Sequence, residues 1–320
     1  MSNFANRNRN HGADEVVQTG SESHVPDRSW HEEIRCKLAV AGDWREHEGK
    51  DCSASASRMS ARVTLRGMSQ APTARFSNRV ENYVRYRPGY PAEVVELLRT
   101  ECGLRPEHVI ADVACGTGAF TRLLLENGNR VFGVEPNGAM RETGEQVLAG
   151  YEKFVAVAGS AEETTLETAA VDFVTAAQAA HWFDLKRTRV EFARILRVGG
   201  WCVLIWNERL VDATPFLREY EQLLLSYGTD YKEVRHERTT EKIYEFFAPS
   251  ECQERTFAMQ QRFDYEALAG RLLSSSYAPL PGHANYGPMM QELERIFREH
   301  VREGVAEVEY KTRVYYGKLH

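Results

Sequence analysis

An α/β protein, with a parallel sheet covered by helices on both faces, is the fold class this sequence predicts, and three observations carry the expectation. Short apolar runs of strand length alternate with helix-patterned segments between residues 91 and 207. The first of those runs opens into a turn holding Gly116 and Gly118, and the second ends on an acid, Glu135. With 320 residues, 42% of them apolar and 10% aromatic, the chain has material for one large core.

Residues 1 to about 70 are rich in Asn, Ser, Arg, Glu and His and sustain no helical or strand period, so a disordered N-terminal extension is expected there. Within it, CSASASRMSARVTLR (Cys52 to Arg66) is basic and Ser-rich like a transit peptide, but it is internal. Met68 stands where folded-looking sequence begins and is a candidate start, which makes residues 1–67 dispensable in this reading. Residues 71–320 are expected to form one domain, with a cofactor half at about 91–207 and a lobe with the last strands at about 208–320.

Pro91 is suited to a first helical turn and predicts a helix over 91–101. Residues 108–113 read as a buried strand, 119–127 as a helix, 130–135 as the second strand and 138–148 as the next helix. Strands are expected at 154–158 and 171–176, a helix at 185–196 and a fifth strand at 201–206, each run bounded by Gly or polar turns. After Asn207 the spacing predicts a helix over about 215–227, a polar stretch, an alternating segment at 253–263, helices at 265–273 and 289–301, and an alternating strand at 305–319.

A formal charge of −6 argues against a broad phosphate-binding face, so no nucleic-acid partner is expected. No stretch approaches the roughly 20 apolar residues that span a bilayer, and MSNFANRNRNHG has no signal-peptide core, which together suggest a cytoplasmic protein without a membrane partner. The six cysteines (Cys36, Cys52, Cys102, Cys115, Cys202 and Cys252) show neither zinc-knuckle nor CxxC spacing; reduced thiols and no metal are expected. Oligomeric state is not legible.

The segment VIADVACGTGAFTRLLLENGNRVFGVEPNGAM, residues 109–140, is the most informative. A strand ends near Asp112, a Gly-containing turn opens a helix, and Glu135 closes the next strand 17 residues after Gly118. This is how a Rossmann-like half-domain holds a nucleoside: glycines let the backbone approach, and the acid accepts from the ribose hydroxyls. A bare Gly-x-Gly can be only a tight turn, but the βαβ context and the acid favour the ligand. A dinucleotide enzyme would want a third glycine at position 121, where this chain has Thr121.

The pattern resembles motif I of class I S-adenosylmethionine-dependent methyltransferases. From about residue 76 to 319 the chain is similar to the methyltransferase type 11 group, most of all to its trans-aconitate methyltransferase-like branch. The resemblance implies a Rossmann-like seven-stranded sheet of five parallel βα units plus an antiparallel C-terminal edge made by 253–263 and 305–319, under a helical substrate lobe. It also implies S-adenosyl-L-methionine as cofactor. Asp112, Gly116 and Gly118 would line its methionine and ribose part, beside Ala114, where many members carry Gly. Glu135 would hold the ribose, Pro136 and Met140 would flank the adenine, and Ser160, Ala161 and Glu162 of the GSAEE turn would reach the adenine edge. Met140 as core and Glu162 as a helix cap are the alternatives.

In VDFVTAAQAAHWFD, residues 171–184, the resemblance puts Gln178 and Ala179 beside the sulfonium, with His181 and Trp182 facing cofactor or substrate. His181 is the catalytic candidate; a structural His and a core Trp182 are the alternatives. In RFSNRVENYVRYRPGYP, residues 75–91, Tyr83 and Arg87 would bind the cofactor carboxylate, unless the stretch is a solvated helix with an aromatic underside. In GRLLSSSYAP, residues 270–279, Arg271, Ser274 and Tyr277 would contact an acidic or hydroxylated substrate. The expected function is methyl transfer to a small-molecule acceptor, a carboxylic acid or hydroxylated metabolite. A non-catalytic S-adenosylmethionine-binding regulator and a nicotinamide-dependent oxidoreductase are the alternatives.

Overall fold

Each apolar run between residues 109 and 205 becomes one strand of a seven-stranded sheet. The computed structural model describes residues 80–234 and 240–319; the extension expected at 1–70, the transit-like run, Met68, Cys36 and Cys52 lie outside them. The strands are β1 Val109–Val113, β2 Arg130–Val134, β3 Phe154–Val157, β4 Val171–Ala177, β5 Leu196–Arg209, β6 Cys252–Phe263 and β7 Ala306–Gly317. Their order is β3-β2-β1-β4-β5-β7-β6. The first five run parallel. β7 inserts antiparallel between β5 and β6, so β7 alone is reversed and β6 runs with the first five. The chain leaves β1 toward one edge and β4 toward the other, which opens a crevice at the C-terminal ends of these two strands.

The helices are α1 Val80–Tyr86, α2 Glu93–Glu101, α3 Ala119–Glu126, α4 Gly138–Val147, α5 Leu185–Ile195, α6 Pro215–Tyr227, α7 Tyr231–Val234, α8 Thr240–Phe247, α9 Tyr265–Leu273 and α10 Tyr286–His300. Side-chain caps fix several starts. Asn137 accepts from Met140 N, Asp184 from Lys186 N and Arg187 N, Thr214 from Leu217 N, and Asp264 from Ala267 N. The polar stretch after α6 contains α8, whose Ile243, Phe246 and Phe247 recur at helical spacing and are buried. β5 begins at Leu196, earlier than its apolar centre, and a register shift against β4 accommodates the Gly-containing lead-in.

Two apolar clusters sandwich the sheet. Phe192, Ile195, Phe246, Phe247 and Tyr315 pack on one face, and Val94, Leu98, Phe120, Leu124, Leu148 and Tyr316 on the other; adjacent Tyr315 and Tyr316 serve opposite faces because strand side chains alternate. A third cluster builds the lobe from Leu217, Leu268, Leu272, Met289, Leu293 and Tyr310. Burying each such aliphatic side chain contributes about 1.5–3 kcal/mol. α1 and α9 approach so closely that a Cβ on Gly270 would lie 2.1 Å from the Tyr86 ring. Among the described residues Cys102, Cys115, Cys202 and Cys252 are free thiols, and no helix is long and apolar enough to cross a membrane.

Candidate cofactor and acceptor site

The loop after β1 turns sharply under Glu135. Ala114, Gly116 and Gly118 all adopt positive φ, at 54°, 60° and 86°. Glycine tolerates this region and alanine does so at a cost, so Ala114 holds its place under strain. A side chain on Gly118 would also strike Leu148 at 2.5 Å. Glu135 is buried just past the end of β2, where its Oε2 accepts from Gly116 N at 2.9 Å and its Oε1 from Asn137 N at 2.9 Å. Burial raises its pKa; the two backbone N–H groups and the nearby Arg141 oppose the rise without cancelling it. Arg141 donates to the Glu135 backbone carbonyl.

Asp112 lies deeper than the sequence implied. Its two oxygens accept from the Thr121 and Thr175 hydroxyls at 2.6 and 2.7 Å, tying β1 to α3 and β4. Thr121 thus fills the place where a dinucleotide fold would want glycine. Met140 is buried in the first turn of α4 yet belongs to none of the three apolar clusters, and Pro136 beside it is exposed.

After β3, the Ser160 hydroxyl accepts from Glu162 N and Glu163 N and shapes the turn. Ala161 packs into the core, and Glu162 Oε1 accepts from the backbone N of Asp184, the residue that caps α5. The side chain expected at the adenine edge is therefore engaged at a helix start, close to its alternative reading. Glu191 on α5 anchors the same turn: it takes Thr164 N and Oγ1 at 2.8 and 2.5 Å and pairs with Arg194 through both oxygens.

Gln178, with φ of 57°, directly follows β4 at the crevice. Its backbone N donates to Ile205 O, and its Oε1 accepts from Asn207 N at 2.7 Å. Ala179 is buried behind it. His181 and Trp182 follow in a single turn of 3₁₀-helix with their rings 4.8 Å apart, both partly exposed. Arg87 reaches α9 through Nη2 to the Ser274 carbonyl, while the side chain of Tyr83 lies outside what is described. Ser274 turns its hydroxyl onto the Arg271 carbonyl of its own helix; its neighbour Ser275 contacts the Arg271 guanidinium at 3.1 Å.

Residues 111–204 match the family described as a methyltransferase domain. Within these residues the chain is similar to methyltransferase domains. An uncharacterized methyltransferase of Mycobacterium tuberculosis is 39% identical over 160 residues, covering 50% of this chain and 61% of that protein. A Saccharomyces cerevisiae protein provisionally named an S-adenosylmethionine-dependent methyltransferase is 31% identical over 125 residues, 37% of this chain and 42% of its own. The chain thus spans less than two thirds of these curated relatives. A solved structure from Anaeromyxobacter dehalogenans, provisionally named a type II methyltransferase, shares the fold with a TM-score of 0.55 at 23% identity, covering 73% of this chain and 98% of that one.

The fold around the crevice uses residues the sequence did not single out. Asn207 is a junction: besides holding Gln178, it donates to the Gly89 carbonyl and accepts from Thr312 Oγ1 at 2.6 Å. A polar residue closing the apolar run VLIWN was the available signal. Arg209, Glu221, Tyr231 and Tyr310 had no local signal, since only the folded lobe brings β5, α6, α7 and β7 together.

Proposed function

We propose that this protein transfers the methyl group of S-adenosyl-L-methionine to a small-molecule acceptor. The observation that carries the reading is Glu135, buried at the end of β2 over the positive-φ glycine loop inside the segment that matches methyltransferase domains. Each of its carboxylate oxygens already accepts one backbone N–H, and each has a second lone pair for one ribose hydroxyl. Gly116 and Gly118 keep the loop bare for the methionine portion, Met140 offers an apolar face to the adenine, and Gln178 and Ala179 stand at the methyl end. Asp112 supports this shell from behind.

In the transfer, the acceptor lone pair bonds to the methyl carbon as the carbon–sulfur bond breaks. The electron pair stays on sulfur, and S-adenosylhomocysteine leaves. The donor is already activated, so alignment supplies much of the rate. His181 takes a proton where the acceptor is neither an anion nor a free amine.

Glu135→Gln replaces a charged double acceptor with one acceptor oxygen. Loss of about one charged hydrogen bond, roughly 1.5–3 kcal/mol, weakens S-adenosylmethionine binding about ten- to a hundredfold. Titration calorimetry checks this, with circular dichroism controlling for the fold. Affinity unchanged within a factor of two would remove the nucleoside from this site, and failure of labelled donor to methylate any of a broad acceptor panel would count against the activity itself.

A further inference from the structure

The hydrogen bonds at Asn207 fix two side-chain amides in orientations that cannot be reversed. The Gly89 carbonyl can only accept, so it takes Asn207 Nδ2 at 2.9 Å, and Oδ1 is left to accept from the Thr312 hydroxyl at 2.6 Å. Asn207 N can only donate, so the atom it meets on Gln178 at 2.7 Å is Oε1. Gln178 Nε2, with its two N–H groups, is then the end of that amide left for a ligand. Gln178 is only partly buried, so a ligand can reach it.

Three distant parts of the chain meet at this junction. Asn207 and Thr312 are cross-strand partners on β5 and β7, Gly89 precedes α2, and Gln178 directly follows β4 beside the crevice. The ladder from Cys202 to Arg209 already joins β5 to β7, so the sheet does not depend on the Asn207 side chain. Thr312 is fully buried and Asn207 nearly so. A buried polar network with every partner in place is rigid, and removing one member leaves another unpaired. That rigidity is applied to a strained residue. Gln178 has a φ of 57°, unfavourable for any residue with a side chain, and it is pinned there by its own N donating to Ile205 O at 2.7 Å as well as by Asn207. Strain that the surroundings over-determine marks a position whose pose matters.

We propose that Asn207 is a positioning residue for methyl transfer: backed by Thr312 and Gly89, it holds the Gln178 amide with its N–H groups at the methyl end of the cofactor. An N–H donor there steers a lone-pair-bearing acceptor toward the methyl carbon. This rests on the methyl-transfer reading.

Titration calorimetry of the whole protein with S-adenosylmethionine and S-adenosylhomocysteine tests it, because the two differ by the methyl group and the positive charge on sulfur. Gln178→Glu keeps one oxygen for Asn207 N and sets the other where Nε2 stood. A carboxylate fixed there should raise the preference for S-adenosylmethionine over S-adenosylhomocysteine by about tenfold or more relative to wild type. Thr312→Val removes the hydroxyl behind Asn207, and in that background the gain should fall below about threefold. Thr312→Ser keeps the hydroxyl and should retain at least about half of the gain. Asn207→Ala leaves the backbone N–H in place but unties it from Gly89 and Thr312. It should act as Thr312→Val does, and it covers the case in which Thr312→Val prevents folding, as read by circular dichroism. No gain from Gln178→Glu, or an equal gain with and without the Thr312 hydroxyl, overturns the role given to Asn207. S-adenosylhomocysteine affinity of the wild type, titrated alone, tests the cofactor reading separately, and its absence would remove that reading and this inference together.

Discussion

Asp112 is an acid kept where charge is expensive. Burial raises its pKa from 3.8 to about 6, against the hydrogen bonds from Thr121 and Thr175 that favour the charged form, and Glu135 adds to the rise. The folded state therefore holds this proton more tightly than the unfolded chain, so the group costs stability as pH climbs from about 4 through 6. Asn at this position has no charge to lose. Relative to wild type, Asp112→Asn should become more stable between pH 4 and pH 7 by on the order of 2–3 kcal/mol, measured by urea titration at each pH. A constant difference across that window would contradict the argument. Glu191 has the opposite sign: burial raises its pKa, but Arg194 and Thr164 outweigh it and hold the carboxyl at about 2. Its contribution is present above pH 4.5 and fades as pH falls toward 2. Glu191→Gln should lose about 3 kcal/mol at pH 7 and much less near pH 2.5. The same denaturation series reads both.

At the scale of elements, α1 packs tightly on α9 at Gly270. Gly270→Ala puts a methyl group into the Tyr86 ring and should cost about 1–3 kcal/mol. Most of that loss should return in the Gly270→Ala, Tyr86→Ala double variant beyond what the two single changes sum to, as a double-mutant cycle would show. The strands were legible because each carries its own apolar run. α8 was not, because Ile243, Phe246 and Phe247 make too short a stripe among charged neighbours to stand out. Ser274 and Ser275 were not separable either: which of two adjacent hydroxyls faces Arg271 depends on where α9 ends.

Across the whole molecule, legibility follows sequence distance. Gly116, Gly118 and Glu135 lie within one βαβ unit, so their chemistry was readable in order. Arg87 meets Ser274 across 187 residues and Arg209 meets Glu221 from another element, and of these the sequence pointed only to Arg87 and Ser274, through a resemblance. Binding at the crevice should stabilise the folded state by mass action. S-adenosylhomocysteine at a hundred times its Kd should add about 2.7 kcal/mol and raise Tm by roughly 5–10 °C, and no shift in a thermal scan would argue against a preformed site.

The place of β7 also governs the order in which the sheet can be finished. β6 is made first, but its neighbour in the sheet is β7, and β7 emerges only after α9 and α10 have been synthesised. During translation β6 therefore waits with both edges open, the condition that invites pairing with a neighbouring nascent chain. Its own residues answer the hazard. Glu254, Arg255 and Arg262 put charges along the strand, and Gln253, Gln260 and Gln261 dilute what remains apolar. A strand that must be patient on the ribosome is written as a soluble one, and making it greasier would be felt as lost yield before it was felt as lost activity.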